Sequence, residues 1–118
     1  MAVTNVEQRE IIEVPFIMPD GTILPHPALV ISRNQLQEDE DGMFYAVLIS
    51  TKNHHPEYTI QIKDEWLNKP MGRKSYFITH LVNMFNVTDV IQRSNTFIKK
   101  RYFEDIINKI LDNIIGDY

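Results

Sequence analysis

The sequence predicts a mainly β domain with a C-terminal helix, and three observations carry that prediction. Short apolar runs rich in Val, Ile, Tyr and Phe recur between residues 11 and 86, bounded by Pro, Gly, Asn and Asp. From residue 102 the period changes, and apolar pairs return every four residues: Tyr102/Phe103, Ile106/Ile107, Ile110/Leu111 and Ile114/Ile115. That spacing gives a helix one apolar face. A chain of 118 residues makes one domain with a core of its own. A single helix must press on something, so the expected architecture is a small curled antiparallel sheet closed at one side by the helix. The domain is expected over residues 1–118, with its core at about 10–116.

Each element has a local reason. Residues 1–9 read as a polar lead-in. Ile11–Phe16 is apolar and partly β-branched, a strand. "MPDG" supplies turn residues, with Pro at its second position and Asp-Gly after it. Pro27–Ser32 is a continuous apolar run preceded by "LPHP" and suits a strand buried on both faces. "RNQLQEDEDG" reads as a polar loop, and its "EDED" run as a solvated charge cluster. "MFYAVLIS" is a third strand, and "YTIQI" alternates with period two. "KDEWLNKPMG" starts as a helical turn and ends as a loop. "KSYFITHLVNMF" is another strand, while "VTDVIQ" fits neither template. The stripe on the terminal helix reads as core packing, and Gly116 stands where a left-handed C-cap is expected.

Composition excludes several classes. The chain has no cysteine, so no disulfide framework is open to it, which fits a reducing compartment. No run of about 18 apolar residues suggests a membrane span, and the N-terminus lacks a basic-then-apolar leader; a cytoplasmic protein with no membrane association is expected. The formal net charge is −4. It is uneven: residues 1–42 hold eight acids and two bases, the remainder eight acids and ten bases. Basic clusters lie at "KPMGRK" and "IKKR". There is no P-loop, no dinucleotide glycine fingerprint and no Gly-x-Ser-x-Gly elbow.

The polar residues that could carry chemistry sit at strand ends. His26 is wedged between two prolines at the mouth of the second strand. Ser50 and Thr51 leave the third, followed by Lys52, His54 and His55. His80 lies within "SYFITHLV", where alternation places Tyr76, Ile78 and His80 on one face and Phe77, Thr79 and Leu81 on the other. Metal-free RNA cleavage needs a base for the 2′-OH, an acid for the leaving 5′ oxygen and a donor for the phosphate charge. Histidine can serve as base or acid near neutral pH, and Ser50 and Thr51 can donate to phosphate. Taken singly, each histidine reads as a surface or packing residue. "HHP" sets two imidazoles side by side without the carboxylates or Cys/His spacing of a metal site, so no metal is expected.

The segments "EIIEVPF…DGTILPHPALVIS", "FYAVLIST", "SYFITHLVNMF" and the terminal helix ending "IIG" resemble, in that order, the MazF/PemK family of toxin ribonucleases. The resemblance runs from about Ile11 to Gly116. It implies an SH3-like β-barrel with a C-terminal helix, of the MazF/PemK/CcdB-like kind, and a homodimer. It implies cofactor-free, sequence-selective endoribonuclease cleavage of single-stranded RNA such as mRNA, inhibiting growth. A cognate antitoxin would silence it by laying a disordered tail in the RNA groove. In this pattern His26 stands where the family carries its catalytic arginine, Ser50 and Thr51 where it carries a hydroxyl, and His80 where it carries an aspartate. The implied catalytic set is His26, Ser50, Thr51 and His80, with Lys52, His54, Arg73 and Lys74 attracting the RNA backbone. Two alternatives stand beside it. A gyrase-poisoning toxin of the same fold would need an aromatic-glycine-aliphatic tip that "IIGDY" does not reproduce. A catalytically degenerate member would act only by binding RNA or a protein partner.

Overall fold

The computed structural model describes residues 5–53 and 55–116. Six strands form one antiparallel sheet: β1 (Glu10–Ile17), β2 (Ile23–Val30), β3 (Met43–Ser50), β4 (Thr59–Gln61), β5 (Tyr76–Asn86) and β6 (Gln92–Phe97). Their order across the sheet is β4-β5-β3-β2-β1-β6. A short helix, α1 (Asn34–Asp39), joins β2 to β3, and α2 (Lys100–Ile114) ends the chain. The sheet curls but does not close. Among the described residues, the seam between its two edges is crossed by one bridge, Leu67 opposite Ile98. Beside that bridge the Asn68 N–H donates to the Phe97 carbonyl (3.2 Å) and the Phe97 N–H donates to the Asn68 side chain (2.8 Å). The expected barrel is therefore a curled sheet with an open seam.

Alternation along the central strands builds two cores, one on each face of the sheet. Ile11, Leu29, Val47, Ile49 and Phe77 pack with Ile106 and Ile110 of α2. Ile12, Val14, Ala28, Val30, Phe44 and Ala46 form the second core with Val6 and Val87. The continuous apolar run in β2 has its explanation here, since a strand buried on both faces cannot alternate with polar residues.

Two expectations are corrected, and one strand is added that the sequence did not suggest. "RNQLQEDEDG" is not all loop: Asn34–Asp39 form α1, and its Gln37 is buried, donating to the Val6 carbonyl (2.7 Å) and accepting from the Val6 N–H (2.9 Å). That bond ties residues just before β1 over the second core, so the polar lead-in contains a structural residue. The polar segment "QRSNTF" is strand β6, whose polar side chains find partners instead of a core. The Ser94 hydroxyl donates to the Ile11 carbonyl (2.6 Å) at a bulge in the β1–β6 ladder, and Arg93 grips the fully buried Glu10 through two bonds of 2.7 and 2.8 Å. Hydrogen bonding to Glu10 holds the Arg93 guanidinium above its ordinary pKa. The stripe of α2 is only half core: Ile106 and Ile110 are buried, Ile107 is half-buried, and Leu111, Ile114 and Ile115 are exposed. Gly116 does adopt a positive φ of 70°, the left-handed C-cap that its lack of a Cβ allows.

Candidate functional site

The site begins with how β2 is hydrogen-bonded. The Met18 N–H donates to the Thr22 carbonyl (2.7 Å) at the head of the β1–β2 hairpin, and the Ile31 N–H donates to the Tyr45 carbonyl (3.0 Å) beyond its other end. Backbone groups alternate sides along a strand, so even-numbered residues of β2 face β1 and odd-numbered ones face β3. Pro25 and Pro27 are odd. They lie opposite Pro15 and Glu13 without disturbing the β1 ladder, and they have no N–H to offer β3. Pairing between β2 and β3 accordingly stops at Ala28–Leu48, while β1–β2 pairing runs on to Ile17–Ile23. The two strands part, and a groove of about 940 Å³ opens where they do.

Side chains from four segments converge on that groove. His26, between the two prolines, is half-buried with its ring edge-on to Phe16 at 5.7 Å between centroids. Ser50 and Thr51, at the end of β3, line the facing wall, and the Ser50 hydroxyl accepts from the Lys52 N–H (3.1 Å). His80 projects from β5, and Lys52 and Arg73 stand on the rim as exposed cations. The floor is apolar, with Phe16, Met18, Leu48, Met71, Ile78 and Leu81. At the hairpin tip the Thr22 hydroxyl and N–H both donate to Asp20 and hold its carboxyl below the usual range.

The structure thus gathers six of the residues picked out from sequence, His26, Ser50, Thr51, Lys52, Arg73 and His80. Lys74 is exposed but does not line the groove. His54 lies outside the described residues. Leu81 shares the groove with Ile78 and His80 instead of facing away with Phe77 and Thr79, because the β3–β5 ladder jumps from Val47–Val82 to Ile49–Phe77. Such an irregularity breaks the period-two rule.

One lining residue was passed over as a site member: His55. Its ring stands 6.0 Å from that of His80, nearly perpendicular, and the Tyr58 ring stands 5.3 Å from His80. The sequence did carry a signal, since Pro56 follows His55 and opens a 3₁₀ turn over Pro56–Tyr58, closed by the Tyr58 N–H on the His55 carbonyl (2.9 Å). A relay pins this turn beside His80. Asn113 of α2 donates to the Thr79 hydroxyl (3.0 Å), which donates to the Tyr58 carbonyl. Thr79 is the buried neighbour of His80 in sequence, pointing to the opposite face. Among the described residues, no group of three or more His, Cys, Asp or Glu side chains is placed to share a metal ion. No described helix is long and apolar enough to cross a membrane.

No protein-family model and no curated protein sequence matches this chain. Solved structures do match. MazF from Deinococcus radiodurans superposes with a TM-score of 0.73 at 9% identity, over 97% of this chain and 99% of that one. MazF of a MazE–MazF structure from the same organism gives 0.70 at 11% identity, over 98% and 100%. An endoribonuclease in complex with its cognate antitoxin, from a mycobacterial species, gives 0.67 at 9% identity, over 96% and 98%. This chain has a MazF-like fold.

Proposed function

We propose that this MazF-like chain is the toxin of a toxin–antitoxin pair, and that it cleaves single-stranded RNA in the β2–β3 groove without a metal ion. The observation that supports this best is the convergence, in one groove, of imidazoles, hydroxyls and cations from sequence-distant segments. The solved structures of the same fold add weight, since one is an endoribonuclease in complex with its cognate antitoxin and another is a MazE–MazF structure. Lys52 and Arg73 would hold the RNA backbone, with affinity falling steeply with salt. Ser50, Thr51 and His26 would donate to the scissile phosphate, and His80 would transfer a proton. The apolar tip of the hairpin, with Ile17 67% and Ile23 63% exposed, and the exposed end of α2 support a homodimer that covers apolar surface.

The apolar floor favours a second reading, in which the groove holds only the apolar side chains of a protein partner. Cleavage of a mixed-sequence RNA in EDTA, across pH 5 to 9, decides between them. Fragments from the parent, lost in His26→Ala and retained in His26→Arg, support the ribonuclease with His26 as a phosphate donor. A folded parent that binds antitoxin peptide but leaves RNA intact supports the second reading.

A further inference from the structure

We infer that His55 and His80 are the proton-transfer pair of the groove, with His26 confined to holding phosphate. The inference rests on the ribonuclease reading above and goes further by naming the acid–base pair. Transfer of a phosphoryl group from the 5′ oxygen to the neighbouring 2′ oxygen needs two proton carriers at one phosphate. Each must lie within about 2.6–3.2 Å of its oxygen. His55 and His80 present rings 6.0 Å apart and nearly perpendicular. No hydrogen bond among the described residues joins them. They are too far apart to satisfy each other and close enough to flank one phosphate. Both are exposed to the groove. His26 is engaged edge-on with Phe16 instead.

Placement separates the two from ordinary surface histidines. His80 is carried by the long strand β5, and His55 caps a turn whose far end is bonded to Thr79, the residue before His80. Through Asn113 the same relay reaches α2. The pair is therefore held by three elements, as a proton-transfer pair must be. Among the described residues, the other charged and titratable groups around it include Lys52 and Arg73 on the rim, His26 across the groove and Tyr58 against His80.

The step balances without a further reactant. One imidazole, neutral, takes the 2′-OH proton as the 2′ oxygen bonds to phosphorus. The P–O5′ bond breaks as the other imidazole, protonated, gives its proton to the 5′ oxygen. The products are a 2′,3′-cyclic phosphate and a 5′-hydroxyl end.

The test first locates a cleavage site in mixed-sequence RNA with the parent protein. An oligonucleotide of that site is then made with its 5′ oxygen, and again with sulfur in place of the bridging 5′ oxygen, a leaving atom that needs no proton. On the oxygen substrate, His55→Ala and His80→Ala should each lose about 10²–10⁴-fold in cleavage while binding a 2′-deoxy version of the oligonucleotide like the parent. The sulfur substrate should restore one of the two, the acid, and not the other. His26→Ala should be slow on both substrates. The parent's bell-shaped pH–rate profile should lose one limb in each of the two pair variants. Unchanged cleavage by His55→Ala, or failure of sulfur to restore either variant, overturns the pair while the ribonuclease stands. A folded parent that cleaves nothing overturns both.

Discussion

The two halves of β2 are the same strand under opposite rules. Ala28, Leu29 and Val30 are buried completely, with a core on each face; Ala28 and Leu29 pair with both β1 and β3, and Val30 pairs with β3 and accepts from the Arg9 N–H. Ile23–Pro27 keep only the β1 partner, and their side chains are exposed or half-buried. The switch falls at Pro27, which together with Pro25 leaves β2 without the two donors that β3 would need. The difference teaches how a small sheet makes room for a groove. The packed half has apolar residues, and the half beside the groove has prolines, which open the sheet without an unsatisfied N–H.

Within β2, the larger effect is expected from the packed half. Leu29→Ala should cost about 2–5 kcal/mol, as a truncation at a site that cannot collapse, read as a lower midpoint in urea unfolding. Cleavage per folded molecule should be unchanged. The Glu10–Arg93 pair on the neighbouring edge comes next. Arg93→Met should destabilise by about 2–3 kcal/mol, below the roughly 3–5 kcal/mol of a fully buried pair because Arg93 is partly exposed, while the carboxylate of Glu10 stays fully buried without its partner. Urea denaturation checks this too, and a variant as stable as the parent would mean that Glu10 does not need its partner.

On α2 the contrast is between neighbours. Ile106→Asp should unfold the protein or cost several kcal/mol, whereas Ile107→Asp, at a half-buried position, should cost about 1–2 kcal/mol. Equal melting of the two variants would show that α2 does not turn Ile106 into the core.

In the open half, His26→Ala should change stability by no more than about 0.5 kcal/mol while slowing cleavage. This is the reverse of Leu29→Ala and the sharpest form of the comparison. The smallest effect belongs to Asp20. Its carboxyl is held below the usual range, so its contribution to stability is present above the unfolded value, near 3.9, and is lost as pH falls through the folded value. The melting temperature of Asp20→Asn should therefore lie slightly below the parent's at pH 6 and converge on it below pH 3. A gap that widens in acid would contradict the sign.

Local chemistry made much of the fold legible. β1 and β3 could be read because β-branched apolar runs between turn residues have few other uses. The apolar stripe and Gly116 marked α2 and its end. Strand β6 was hidden because its polar residues are held by Glu10 and the Ile11 carbonyl, partners more than 80 residues away, and not by any pattern of their own. α1 was hidden because its one buried side chain is a glutamine, whose burial depends on the Val6 backbone 31 residues earlier.

The candidate site divides in the same way. The sequence by itself put His26 between prolines, hydroxyls at the end of β3 and a histidine within β5, because proline geometry and strand periodicity act over a few residues. Only the tertiary structure decided that these face one groove, that the β3–β5 irregularity turns Leu81 in beside His80, and that His55 stands next to His80 and Lys74 stands apart. Those relations depend on register and on contacts between segments far apart in the chain, set by the packing of two cores and by a hydrogen-bond relay through Thr79.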